Sequence, residues 1–111
     1  MNFKFTDEEK DILQMVHDFC VKKVGPRAGE IDEQEKFPEE TWHELAEMGM
    51  TGLPYPEEYG GAGMSYLCYI AAIEEISKFC ATTGTVLSAH TSLCTWPIFT
   101  YGTEEQKKKY L

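Results

Sequence analysis

From Phe79 to Thr103 the chain carries no Asp, Glu, Lys or Arg, although 26% of its residues are charged. No other feature restricts its folding more. An uncharged stretch of this length belongs either inside protein or inside lipid. Seven threonines, two serines, His90, Gly84 and Pro97 lie within it, too much polarity for the middle of a bilayer. The expectation is a largely buried helix of a soluble domain, with no membrane insertion. The opposite composition lies between Glu30 and Glu47, where eight acids accompany one lysine, Lys36. That segment belongs in water.

The charge balance is 10 basic against 19 acidic residues, a formal net charge of −9. Bulk attraction to nucleic acid or anionic lipid is thereby excluded. With 111 residues the chain is the size of one domain with its own core. The opening from Met1 to Asp7 has no apolar run followed by a small-residue cleavage site, so no secretory signal is expected. Cys20, Cys68, Cys80 and Cys94 form no C-x-x-C pair, and reduced thiols in a cytoplasmic setting are the simplest reading.

The periodicity is helical throughout, and no segment alternates as a half-buried strand does. Thr6 with Glu9 has capping-box spacing, and Ile12, Leu13, Val16, Phe19, Cys20 and Val24 form a stripe ending at Gly25-Pro26. An acidic connection leads to Phe37. Pro38 then suits the first turn of a second helix, with Trp42, Leu45 and Ala46 as its stripe and Gly49 as its stop. The run from Thr51 to Gly63 is a loop rich in Gly and Pro. Ser65 caps a third helix with the stripe Tyr69, Ile70, Ile73, Ile76 and Cys80, broken by Thr82, Thr83 and Gly84. A fourth helix carries Val86, Leu87, His90, Leu93, Cys94, Pro97 and Ile98, with Pro97 a candidate kink. Thr103 with Gln106 opens a fifth helix, which runs for two turns without a stop signal and reads as cut short. The predicted fold class is all-α, a bundle of about five helices with long loops and a truncated last helix.

Few residues assemble into chemistry. His17 with Cys20, and His90 with Cys94, share helix faces, but no set of four ligands forms for a structural metal. Glu74 and Glu75 sit mid-helix beside Lys78, the usual pattern of a solvated face. No nucleophile elbow is present. Gly60-Gly61-Ala62-Gly63 resembles a phosphate loop but lacks the lysine and the preceding strand, so a turn that lets backbones pack closely explains it better. The fourth helix, rich in small and hydroxylated residues, is either a close packing face or one wall of an apolar ligand pocket.

Four blocks together resemble the N-terminal helical domain of the acyl-CoA dehydrogenase family. They are Phe5-Thr6-Asp7-Glu8 with Val24-Gly25-Pro26; Met48 to Leu53 leading into Pro56 to Gly63; Ile73 to Ser77; and Leu87 to His90 continuing through Pro97-Ile98 to Tyr101 to Leu111. The stretch from Leu87 to Cys94 looks most like short-chain, butyryl-type members. The resemblance covers nearly the whole chain and implies a domain spanning residues 1–111. It also implies a middle β-domain and a C-terminal helical bundle that this chain lacks.

What the resemblance implies about function goes further. Family enzymes bind FAD, oxidise acyl-CoA to 2-enoyl-CoA, pass electrons to an electron-transfer flavoprotein, and are usually homotetramers. Their catalytic glutamate and most flavin contacts match nothing in this chain. The helix matching Val86 to Leu93 borders the acyl pocket, which makes Val86, Ala89, His90 and Leu93 the candidate substrate-binding residues. All four share one face of an α-helix. His90 either shortens such a pocket or hydrogen-bonds at its rim. The competing readings are a stand-alone helical module that binds a partner protein, and a domain of an acyl-CoA oxidase-type flavoprotein.

Overall fold

The computed structural model describes residues 2–111, and Met1 lies outside the described residues. Every regular element among the described residues is helical. The α-helical segments are α1 (Asp7–Phe19), α2 (Gly25–Gln34), α3 (Glu39–Glu47), α4 (Tyr66–Phe79), α5 (Ala81–Ala89), α6 (Trp96–Tyr101) and α7 (Glu104–Tyr110). They join into five rods, because π-turns at Cys20–Val24 and His90–Thr95 fuse α1 to α2 and α5 to α6. The fold class is as expected. Two boundaries are not.

The first rod does not stop at Gly25-Pro26; it runs on to Gln34. A proline inside an α-helix donates no hydrogen bond, and its ring presses on the carbonyl four residues back, here Lys22. The π-turn opens the helix just ahead of it, and the Gly25 N–H reaches back five residues to the Cys20 carbonyl. The rod ends instead at Glu35, whose φ of 51° is left-handed. The N–H groups of Glu35 and Lys36 close it onto the carbonyls of Asp32 and Ile31. Most of the expected acidic connection is therefore helix.

The second corrected boundary is the break between α4 and α5. It falls at Cys80, which is extended (φ −154°, ψ 106°), and not at Thr82–Gly84. Gly84 lies inside α5 where a Cβ would overlap the Ser77 hydroxyl. Its missing side chain lets α4 and α5 pack closely. Pro97 lies inside the fourth helix, as expected, and follows the second π-turn as Pro26 follows the first.

The expected caps are present. Thr6 and Glu9 form a reciprocal capping box, as do Thr103 and Gln106, and the Ser65 hydroxyl accepts from the Cys68 N–H. α4 packs against both α1 and α5. Val16, Cys20 and Val24 meet Leu45, Met50, Leu53, Cys68, Ala72, Ile76 and Leu87 in one core. Several predicted stripe positions face outward: Ala46 and Ile70 are exposed, whereas Thr41 and Cys68 are buried. Burial holds Cys20 and Cys68 as neutral thiols, pushed up to about 12 and about 11.

The loop from Gly49 to Met64 is tied down by its own backbone. Ala62, Gly63 and Met64 donate to the carbonyls of Gly52, Tyr55 and Leu53 at 3.0, 2.8 and 3.0 Å. Gly61 passes so close to this strand of chain that a Cβ would overlap the Tyr55 carbonyl oxygen. Gly61→Ala is expected to destabilise the fold by about 3 kcal/mol. Gly29→Ala, where a Cβ meets nothing within 4 Å inside α2, is expected to stabilise it by about 0.5–1 kcal/mol. Urea denaturation of both variants checks the pair.

Polar contacts bind the rods at the surface. His17 Nδ1 lies 2.6 Å from Glu75 Oε1, joining α1 to α4, and Arg27 reaches both Glu44 and the Thr41 hydroxyl on α3. The Ser65 hydroxyl donates to Glu9. These partners hold Glu9, Glu44 and Glu75 below the usual carboxylate value of 4.5. A carboxyl with a lowered folded pKa stabilises the fold above its unfolded value. That contribution is lost as pH falls through the folded value. Stability should therefore drop below about pH 4.5, and Glu75→Gln should make the drop shallower. An acid limb identical in the variant would show that the His17–Glu75 pair contributes nothing.

Candidate functional site

The predicted site residues sit on α5 and the π-turn that follows it. Val86 and Ala89 are half-buried on α5, His90 opens the π-turn, and Leu93 lies in its middle. A straight α-helix would put all four on one face. The π-turn lengthens the hydrogen-bonded ring by one residue, seen in the Trp96 N–H reaching back to the Thr91 carbonyl. Everything beyond is turned by about one residue's rotation, roughly 100°. The inward line becomes Thr83, Leu87, Thr91 and Thr95, all buried. Leu93 and Cys94, both expected on the apolar stripe, are outside, with Leu93 77% exposed.

The uncharged stretch is accordingly not largely buried. One face is packed, and the other exposes Leu93, Trp96 and Tyr101. Pro97, Ile98, Tyr101 and Tyr110 line an apolar groove of about 470 Å³ beside it.

His90 occupies the flank of the rod. Its ring meets the edge of Trp42 at 5.0 Å, and Nε2 lies 3.2 Å from the Thr95 hydroxyl. Burial pulls its pKa below 6.5, partly offset by the nearby Thr51 backbone. The ring is therefore held by contacts within the domain. It lines a cleft of about 190 Å³ with Thr51, Tyr55, Tyr59, Gly61 and Thr95.

Sequence reasoning missed Tyr55. It is buried, and its hydroxyl donates to the Thr91 carbonyl at 2.6 Å, the same carbonyl that closes the π-turn. Burial pushes its phenol up to about 12. The available signal was an aromatic residue held between Pro54 and Pro56. Tyr59 was also passed over. Its hydroxyl donates to Glu104 at 2.7 Å, and Lys107 lies over its ring, which ties the loop to α7.

The remaining candidates offer no centre. Among the described residues no three His, Cys, Asp or Glu side chains gather as a metal site. The amides of Gly61, Ala62 and Gly63 already bond to Pro56, Gly52 and Tyr55, so the glycine loop has none free to cradle a phosphate. This loop therefore does not fit the pyrophosphate of a dinucleotide such as FAD.

Fold and surface together define an all-helical domain with one uncharged, partly apolar exposed face. The sequence profile of the acyl-CoA dehydrogenase N-terminal domain matches residues 6–111, and the chain belongs to that family. It is 53% identical over its whole length to the short-chain specific acyl-CoA dehydrogenase of Clostridium acetobutylicum, of which it spans 29%. Its structure superposes on butyryl-CoA dehydrogenase from Megasphaera elsdenii with a TM-score of 0.91 and 42% identity, covering the whole chain and 30% of that one. A chain in a structure described as the electron transferring flavoprotein of Acidaminococcus fermentans matches with a TM-score of 0.94 and 42% identity, covering the whole chain and 29% of that one. The chain thus spans about three-tenths of the length of these relatives. No helix among the described residues is long and apolar enough to cross a membrane.

An NMR titration of His90 should give a midpoint below 6.5, because burial disfavours the imidazolium. A midpoint at or above that value would place the ring in solvent.

Proposed function

We propose that this chain is the N-terminal domain of an FAD-dependent, short-chain acyl-CoA dehydrogenase that oxidises acyl-CoA to 2-enoyl-CoA. In this reading Val86, Ala89 and Leu93 form one wall of the acyl pocket, with His90 at its rim. The observation that carries it is the open face of the α5–α6 rod, apolar and hydroxylated with no charge from Phe79 to Thr103. A saturated acyl chain needs such a wall, since a charge left facing it would be desolvated without a partner.

The chemistry belongs elsewhere in the parent enzyme. A catalytic base works near neutrality only when its pKa is raised. The carboxylates Glu9, Glu44, Glu75 and Glu104 are all lowered by hydrogen bonds. The family resemblance implies that the catalytic base and the FAD site lie in a middle β-domain and a C-terminal helical domain. These domains cover the exposed Leu93, Trp96 and Tyr101. The family resemblance supports an electron-transfer flavoprotein as electron acceptor and a homotetramer as the assembly.

Two preparations test this. The 111-residue chain with added FAD should show no flavin bleaching on addition of butyryl-CoA. A chimaera joining it to the remainder of the Clostridium acetobutylicum enzyme should oxidise butyryl-CoA. Ala89→Phe in the chimaera should lower kcat/KM by about 10–100-fold through steric crowding of the wall. Full activity of Ala89→Phe would remove this helix from the acyl pocket.

A further inference from the structure

We propose that Tyr55 and Pro97 are positioning residues for the acyl wall, acting on it through the π-turn at His90–Thr95. The proposal rests on the reading that α5 and this turn form the wall.

Pro97 has no N–H, so the Leu93 carbonyl loses its α-helical donor and the ring pushes that carbonyl aside. Chain just before the proline reaches further back, and the Trp96 N–H meets the Thr91 carbonyl. The Tyr55 hydroxyl donates to the same oxygen at 2.6 Å from across the core. A carbonyl has two lone pairs, and both are engaged. The Ser92 hydroxyl grips the other side of the turn, donating to the Ser88 carbonyl at 2.7 Å.

Tyr55 is itself fixed. It is 2% exposed, its ring meets Phe99 edge-on at 5.4 Å, and its backbone bonds to Gly52 and Gly63. The loop from Gly49 to Met64 therefore acts as a rigid arm whose tip holds the π-turn open. Counting α-helical spacing from Leu87, a turn without the extra residue would bring Cys94 inward in place of Thr95 and swing Leu93 towards the flank. With the π-turn, Thr95 is buried and Leu93 stands outward. Neither Tyr55 nor Pro97 need touch the acyl chain to decide which side chain does.

The molecule supplies its own control. Pro26 follows a second π-turn of the same kind at Cys20–Val24, on a different rod. The experiment measures kcat and KM of the chimaera for butyryl-, hexanoyl- and octanoyl-CoA in Tyr55→Phe, Pro97→Ala and Pro26→Ala. Tyr55→Phe and Pro97→Ala should change the butyryl-to-octanoyl ratio of kcat/KM by about fivefold or more, mainly through KM. Pro26→Ala should leave that ratio unaltered even where it lowers the melting temperature. Should Pro97→Ala fail to fold, Tyr55→Phe, which removes one hydroxyl, carries the test alone. An unchanged ratio in Tyr55→Phe and in any folded Pro97→Ala overturns the proposal, as does an equal change in Pro26→Ala. Ala89→Phe separates the two levels. If it alters the ratio while the positioning variants do not, only the positioning role falls. If it too is inert, the acyl-wall reading falls with it.

Discussion

A proline cannot take its place in an α-helix without removing a hydrogen bond and displacing a carbonyl, and this chain meets that constraint twice in the same way. Ahead of Pro26 and ahead of Pro97 the helix widens into a π-turn and then resumes. Two long rods result where four short helices would otherwise stand. Their length lets α1 and α5 flank α4, and the core residues Val16, Cys20, Ile76 and Leu87 meet along that line. The inward residues of both rods step by four, as in Val16, Cys20 and Val24 or Leu87, Thr91 and Thr95. That spacing is what an added residue in the turn produces.

The loop between α3 and α4 links this backbone feature to the surface that matters. Its glycines let two strands of chain approach within hydrogen-bond distance, most tightly where Gly61 passes the Tyr55 carbonyl. That closeness presents the Tyr55 hydroxyl to the Thr91 carbonyl. Tyr59 and Glu104 fasten the far side of the loop to α7. A segment without regular structure thus sets the geometry of a helix distant in sequence. The same loop uses the backbone amides that a phosphate-binding loop would leave free.

Much of this was legible in the sequence. The capping boxes at Thr6 and Thr103 and the cap at Ser65 stand where their spacing put them, because a cap is a contact between residues three apart. The glycine cluster at Gly60–Gly63 was read as a close-packing turn, and Gly61 is one. What failed were inferences that assumed an unbroken α-helical period. Gly25-Pro26 looked like a stop because a proline usually is one, and nothing nearby in sequence announces a π-turn. Leu93 and Cys94 were placed on the inner stripe by the same count, and the wider turn moved both outside.

The sequence by itself determined the all-α class, the caps, the family and the uncharged character of one surface. All of these follow from residue types and from contacts within a few positions. Only the tertiary structure decided which side of the fourth helix faces out. That depends on a hydroxyl 36 positions away in the chain bonding to a backbone carbonyl, and on a proline whose effect passes backwards into the preceding turn. Local pattern carries propensity, but the rotation of a helix about its axis is set by the non-local contacts that hold its backbone.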